Sequence, residues 1–250
     1  MSARLTAAVL VLALAAPAGA QDLARRIQNT PDGTVRLSFA ARDGVCGNGR
    51  NINVRRNDRD GWEHWCEPGP ARVALDVRGG RVTGVRTYVG GRWRDLGGTT
   101  DLGAVGAPEA AGFFLDLSAS GRDISGDPIM PAVLADSVTV WPRLLEIARR
   151  DQVSRNIRKK AVFWVSQAAG EEAARGLESF VLDSEEDREL RKQAVFALSQ
   201  LDDDAGVPAL IKAARENPDP AIRKQAIFWL GQSDDPRAIA LFEELLTRGR

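Results

Sequence analysis

The sequence predicts an α+β protein in which a small N-terminal antiparallel β domain, closed by a disulfide, precedes a C-terminal right-handed α-solenoid. The helical part is predicted by a stretch beginning at Ile157 that recurs with few changes at Leu190 and Ile222. Its copies lie 33 and 32 residues apart, an interval typical of stacked helical pairs. The β part is predicted by apolar and polar residues that alternate over 35–39 and 73–77, as in strands with one buried face.

The composition excludes a strong net charge. Acidic and basic residues number 34 each, so the formal net charge is zero. A chain with this balance has no net field to gather nucleic acid or an anionic membrane. We therefore expect no nucleic-acid partner.

Residues 1–20 have the organisation of a signal peptide. Arg4 is followed by an apolar run from Leu5 to Ala16, and three small residues precede Gln21. The run is shorter than the roughly 20 residues that span a bilayer. We expect cleavage before Gln21, export to the periplasm or the medium, and no membrane span after cleavage. The alternative is an uncleaved amphipathic helix or anchor.

Cys46 and Cys66 are the two cysteines of the chain. In an oxidising compartment such a pair most often forms a disulfide, and we expect one here. The alternative is a metal site that includes His64, the single histidine. Two cysteines and one histidine do not have the spacing of a structural zinc site, so we expect no metal.

Residues 21–106 are predicted to form the β-rich domain. We expect its first residues, 21–32, to be a loosely held lead-in. Gly79-Gly80 is a two-residue turn between strands, because glycines accept the positive φ that such turns require. The return strand is expected over 82–89, and a short edge strand over 92–94.

Trp62, His64 and Trp65 lie directly before Cys66. The functional alternative is a ligand loop whose aromatic side chains hold a sugar or a peptide. The structural alternative, which we favour, is that they cover the disulfide.

Residues 107–138 are predicted to form a helical connector, and residues 139–250 the repeat domain. Each repeat contains two helices, and the three units cover about 154–183, 187–216 and 219–248. A single helix from a degenerate unit precedes them. Each unit begins at a residue whose side chain caps helices well, namely Ser154, Asp187 and Asp219.

The repeats resemble HEAT repeats, and more narrowly the short HEAT-like repeats first named from phycobilisome lyases. The resemblance rests on Asp219-Pro-Ala-Ile-Arg-Lys-Gln-Ala-Ile-Phe-Trp-Leu-Gly231 and covers about 140–250. The first unit departs from the pattern, with Ser154 in place of Asp. Together with the signal segment and the cysteine-bearing sheet, the array resembles an exported bacterial family of unknown function.

Two kinds of enzyme in the resembled family set the enzymatic alternatives. Bilin lyases attach chromophores, and deoxyhypusine hydroxylases bind two irons through His-Glu pairs. The repeats of this chain contain no histidine, and no nucleophile stands beside a base. We therefore expect no enzymatic activity and no cofactor, and keep a lyase- or hydroxylase-related enzyme or accessory as the alternative function.

Two columns of the repeats have both a functional and a structural interpretation. Arg158, Arg191 and Arg223 form a ladder that is either a basic strip for an acidic partner or a structural tie between units. Trp164, Ala197 and Trp229 form a column that either frames a pocket or fills the core. We favour the structural interpretation of both columns.

The function that the resemblance implies is protein–protein interaction on the concave face of the solenoid, which the second helices would line. The candidate partner-binding residues on these helices are Arg143, Arg175, Lys212 and Glu243. The β domain would cover the open start of the stack. Capture of a small ligand by the Trp62–Trp65 loop is a further alternative.

Overall fold

The computed structural model describes residues 18–54, 66–94, 97–167, 171–201 and 204–248. The predicted signal segment up to residue 17 and the predicted ligand loop with Trp62, His64 and Trp65 lie outside these residues. In chain order, the described elements are α1 (Ala18–Gln28), β1 (Gly33–Phe39), β2 (Cys46–Gly47), β3 (Ile52–Asn53), β4 (Glu67–Pro68), β5 (Ala71–Arg78), β6 (Arg81–Tyr88), β7 (Thr99–Ala104), α2 (Ala107–Ala119), β8 (Ser125–Gly126), α3 (Met130–Leu134), α4 (Trp141–Ala148), α5 (Arg155–Val165), α6 (Glu171–Leu182), α7 (Arg188–Ser199), α8 (Val207–Glu216), α9 (Pro220–Leu230) and α10 (Pro236–Arg248).

The centre of the main sheet is the antiparallel set β1, β5 and β6, within the strand order β7-β1-β5-β6-β8. Val35 lies opposite Leu75, and the alternating apolar residues of both strands are buried. Gly79 and Gly80 join β5 to β6 with φ values of 54° and 68°. The predicted turn is therefore confirmed, because both residues adopt the left-handed conformation that glycine permits.

The prediction of a wholly antiparallel domain is wrong at the two edges of this sheet. β7 pairs parallel with β1, and β8 pairs parallel with β6, so the sheet is mixed. A tight turn imposes antiparallel pairing only on strands that follow each other directly. β7 and β8 reach their neighbours through longer connections, which leave the strand direction free.

Residues 92–94 are not the edge strand that the sequence predicts. The Arg36 side chain donates a hydrogen bond from Nη1 to the carbonyl oxygen of Arg94 at 2.9 Å. The Arg36 guanidinium also lies 4.7 Å from the centre of the Trp93 ring. A buried cation on β1 thus holds this segment over the sheet, in place of backbone pairing at an edge.

The expectation of a loosely held lead-in is wrong, because residues 18–28 form α1. Leu23 and Ile27, four residues apart, are buried on the side of α1 that packs on α2. The spacing of Ala20, Leu23 and Ile27 is that of an amphipathic helix and was a signal for it. The helix begins three residues before the expected cleavage position.

The disulfide between Cys46 and Cys66 is confirmed, with a Cα–Cα distance of 5.2 Å. It staples the small three-stranded sheet β3-β2-β4, in which Cys46 pairs with Asn53 and with Pro68. A bridge between Gly49 and Val89 connects this sheet to the end of β6.

Helix α2 lies between the sheet and the repeats. The Phe39 ring of β1 lies 6.4 Å from the Phe114 ring of α2, centre to centre. On the other side, Arg143 of α4 forms an ion pair of 2.9 Å with Asp116 of α2. The connector therefore docks the sheet against the first helix of the array.

The C-terminal helices stack in two rows. The first helices α5, α7 and α9 contact one another, as do the second helices α4, α6, α8 and α10. Each second helix up to α8 also packs closely on the first helix of the following unit, in the pairs α4–α5, α6–α7 and α8–α9. Small buried residues, Ala161, Ala194 and Ala226, recur in the first helices and allow this close approach.

Candidate functional site

Two arginines of the predicted ladder are buried between units. Arg158 is 8% exposed and Arg191 is 4% exposed. A buried guanidinium needs acceptors for its N–H groups and a compensating charge. The surroundings of the two side chains supply the acceptors in the same arrangement.

Each buried arginine reaches backward to a helix end and forward to the next turn. Arg158 Nε donates to the Ala148 carbonyl oxygen at 2.6 Å, and Nη2 donates to the Glu186 carboxylate. Arg191 Nε donates to the Val181 carbonyl oxygen at 3.1 Å. These bonds satisfy carbonyls at the C-terminal ends of α4 and α6, which have no partner within their own helices.

The third arginine of the ladder differs from the other two. Arg223 is only half-buried, and its Nη1 donates to the carbonyl oxygens of Asn217 at 2.7 Å and Pro218 at 3.1 Å. It has no carboxylate partner among the described residues. The side chains of Arg158 and Arg191 are therefore inaccessible to a partner, whereas that of Arg223, in the last described unit, is partly accessible.

A second ladder, which the sequence analysis missed, joins the starts of the first helices. Arg155 forms an ion pair of 2.8 Å with Asp187, and Arg188 forms one of 2.7 Å with Asp219. In each pair, the first residue of one helix contacts the N-cap of the next. The signal was present, since Arg155 and Arg188 are 33 residues apart and each follows a cap.

The N-cap aspartates are held in the charged form. Asp219 accepts a hydrogen bond from the Ala221 amide at 2.9 Å, and this bond lowers the pKa of its carboxyl against an opposing effect of burial. Burial raises the pKa of Asp187, but the hydrogen bonds from the amides of Leu190 and Glu189, together with the charges of Arg155 and Arg158, lower it by more, so that the net effect is a lowered pKa. Ser154 accepts from the Ile157 amide in the same way at 3.4 Å.

The second helices carry the candidate partner-binding residues on one side of the stack. Lys212 forms an ion pair of 2.7 Å with Glu178, which raises the pKa of the lysine through its hydrogen bond. Arg143 pairs with Asp116 and Glu146. Arg175 and Glu243 are exposed. Most of these charges are therefore at least partly exposed, and those of Lys212 and Arg143 are already matched by neighbours.

A cleft of about 350 Å³ lies between the turn that joins α7 to α8 and the turn that follows α9. Its apolar wall includes Leu198, Val207 and Trp229, and its polar wall includes Asp204 and Asp234. Within the described residues, the Trp229 indole N–H is buried without a hydrogen-bond partner. The other members of this column, Trp164 and Ala197, are buried in the core.

The described residues contain no group of three or more His, Cys, Asp or Glu side chains that could hold a metal ion. In the same residues, no helix is both long enough and apolar enough to cross a membrane.

The stacked helical pairs and the arginines buried between them define an α-solenoid. Residues 174–250, which include most of α6 and the helices that follow, match a family model described as HEAT repeats. The C-terminal helical stretch thus contains HEAT repeats, which commonly serve as protein-interaction scaffolds. No curated protein matches the chain.

Proposed function

We propose that the protein is an exported scaffold that binds another protein on the concave, second-helix face of a right-handed array of short HEAT-like repeats of the phycobilisome-lyase type. The observation that carries the proposal is the match of residues 174–250 to HEAT repeats, whose common role is protein interaction. The match favours a scaffold over an enzyme. The partner is then a protein.

The charges of the second helices support this choice of surface. Lys212 and Glu178 bridge α8 to α6, and Arg215 and Glu244 bridge α10 to α8. Solvent screens such exposed ion pairs, which therefore contribute little to stability. The charges of an incoming protein can therefore replace one member of such an ion pair at a small cost in free energy. In an interface, charges of this kind mainly set the specificity and the association rate.

Two features support export. The disulfide between Cys46 and Cys66 is typical of an oxidising compartment. Residues 1–20 have the order of charged, apolar and small residues that directs secretion. N-terminal sequencing of the mature protein tests this part of the proposal, and a chain that begins at Gln21 is the expected result.

Crosslinked capture from the exported fraction tests the scaffold. We expect one recurrent protein partner that is lost when Arg175→Glu and Lys212→Glu are combined. The matched control is Lys224→Glu, which reverses an exposed charge on a first helix. Equal capture by all variants would exclude the second-helix face. Stoichiometric metal or a coloured ligand, without a protein partner, would overturn the scaffold.

A further inference from the structure

The last two helices expose apolar side chains at positions that earlier units bury. Ile147, Phe180 and Ala213 occupy one column of the second helices and are at most 1% exposed, whereas Leu245 in the same column is 42% exposed. The neighbouring column contains Ala148, Val181 and Ala214, all at most 9% exposed. It ends in Leu246, which is 75% exposed.

These side chains lie on the side of α10 on which, among the described residues, no following first helix packs. Helices α4, α6 and α8 each pack closely on the first helix of the next unit, and no described helix lies in that position beyond α10. The first helices show the same difference. Phe196 of α7 lies 5.1 Å from the Trp229 ring of the next unit, whereas Phe228, one repeat later, is 57% exposed.

The polar contacts between units also stop here. Arg158 reaches forward to Glu186, and Arg191 reaches forward to Asn217 and, at 3.9 Å, to Asp219. All three acceptors lie at the turn before the next first helix. Arg223 makes only the bonds to carbonyls of its own preceding turn, so its forward side has no acceptor among the described residues.

We infer that this α9–α10 end face, defined by Arg223, Phe228, Ile239, Leu245 and Leu246, binds an amphipathic helix of a partner protein. The inference rests on the proposed scaffold function but assigns a surface other than the second-helix face. The occupant is a helix because a helix covers the corresponding positions in three earlier places of the same stack. Its apolar stripe covers the leucines, in the helix-in-groove mode of recognition.

The charges specify this helix further. A carboxylate in the turn before it accepts from Arg223, as Glu186 does from Arg158. A basic residue in its second turn reaches the C-terminal carbonyls of α10, as Arg158 and Arg191 reach Ala148 and Val181. The partner segment thus has an acidic start, a basic second turn and an apolar stripe.

A synthetic peptide that copies residues 184–201 of this chain is the probe, because it contains α7 and the turn that carries Glu186. Fluorescence anisotropy with the full chain measures its binding. We expect saturable binding that Leu246→Asp weakens by at least about tenfold, because the new charge lies in an apolar contact. Thr247→Asp adds the same charge at the neighbouring exposed residue and serves as the matched control.

A second comparison tests the charges. Peptide carrying Glu186→Lys should bind the wild-type chain more weakly, and the difference should shrink when Arg223 is replaced by Ala. No binding of the unmodified peptide, or equal loss with Leu246→Asp and Thr247→Asp, would overturn the inference.

Two further outcomes separate the possible occupants and the two proposals. Sedimentation is combined with the peptide experiment. If the chain forms a dimer that Leu246→Asp dissociates, and the peptide does not bind, the face belongs to a second copy of the chain and the inference is overturned. Failure of the peptide, with a captured partner still lost on Arg175→Glu and Lys212→Glu, would overturn the end face alone and leave the scaffold standing.

Discussion

Arg191 donates a hydrogen bond of 2.9 Å from Nη2 to the Asn217 side-chain oxygen, across the boundary between the second and third repeats. Asn217 is 1% exposed, and its amide group donates to the Val181 carbonyl oxygen, which also accepts from Arg191. The two side chains therefore share one acceptor at the end of α6. This buried junction ties α6, α7 and the turn before α9 together.

Loss of the Arg191 side chain should destabilise the array more than loss of the Arg223 side chain. Arg191→Ala removes two buried hydrogen bonds of a charged donor, and we expect the free energy of unfolding to fall by about 3 kcal/mol. Arg223→Ala removes bonds at a half-buried position and should cost about 1 kcal/mol. Urea unfolding followed by circular dichroism measures both. Equal losses would show that the buried junction has no special energetic role.

Gly206 should not tolerate a side chain. A Cβ at this position would lie 2.0 Å from the Leu198 carbonyl oxygen, which belongs to the α7 backbone and cannot move freely. We expect Gly206→Ala to lower the free energy of unfolding by about 2 kcal/mol, as overpacking does. Gly69→Ala is the matched control, because a Cβ there meets nothing within 4 Å. A stability change of the same size in both variants would contradict the steric explanation.

Acid should weaken the caps of the first helices. The folded-state pKa of Asp219 lies below its ordinary value of 3.8, chiefly because of the Ala221 amide. A carboxyl group whose pKa is lowered on folding stabilises the fold fully when the pH is above its unfolded-state pKa. This stabilisation is lost as the pH falls through the folded-state pKa. We therefore expect the melting temperature to fall with pH below about 4.

Asp219→Asn isolates the charge in this experiment. Asparagine caps helices about as well as aspartate but does not titrate. The variant should lose less stability than the wild type as the pH falls below about 5. Parallel pH curves for the two proteins would show that Asp219 contributes nothing to the acid sensitivity.

Reduction of the disulfide should destabilise the N-terminal region. Cys46 and Cys66 are separated by 20 residues, and closing a loop of this length stabilises a fold by about 3 kcal/mol on the chain-entropy estimate. We expect Cys46→Ser with Cys66→Ser to lower the unfolding free energy of this region by about that amount. Hydrogen exchange by mass spectrometry locates the loss, which should spare α5–α9. Faster exchange throughout the repeats would instead indicate that the two regions unfold as one unit.

Periodicity accounts for what could be predicted of the repeats. The recurrence of Arg158, Arg191 and Arg223 at helical-repeat spacing showed that the chain stacks equivalent units, because each unit needs its neighbours to bury its apolar face. The same spacing marked Arg155 and Arg188, but a charged residue next to a cap looks like an ordinary solvated side chain until its partner is known.

Strand direction and long-range contacts could not be predicted from periodicity. The alternation in β1 and β5 predicted their buried faces, whereas the parallel pairing of β7 and β8 depends on where the chain returns to the sheet. Asn217 was missed for a similar reason. No pattern around it distinguishes a turn residue from one that satisfies a buried guanidinium in another unit.

From the sequence alone followed the disulfide pairing and the helical repeats of the C-terminal stretch, because the two cysteines and a repeat period can be read directly from the chain. Only the tertiary structure showed which arginines are buried and which face of α9 and α10 is left open. Burial depends on every element that packs around a side chain. Arg191 and Arg223 therefore occupy the same place in their repeats, yet among the described residues a following helix packs over Arg191 alone.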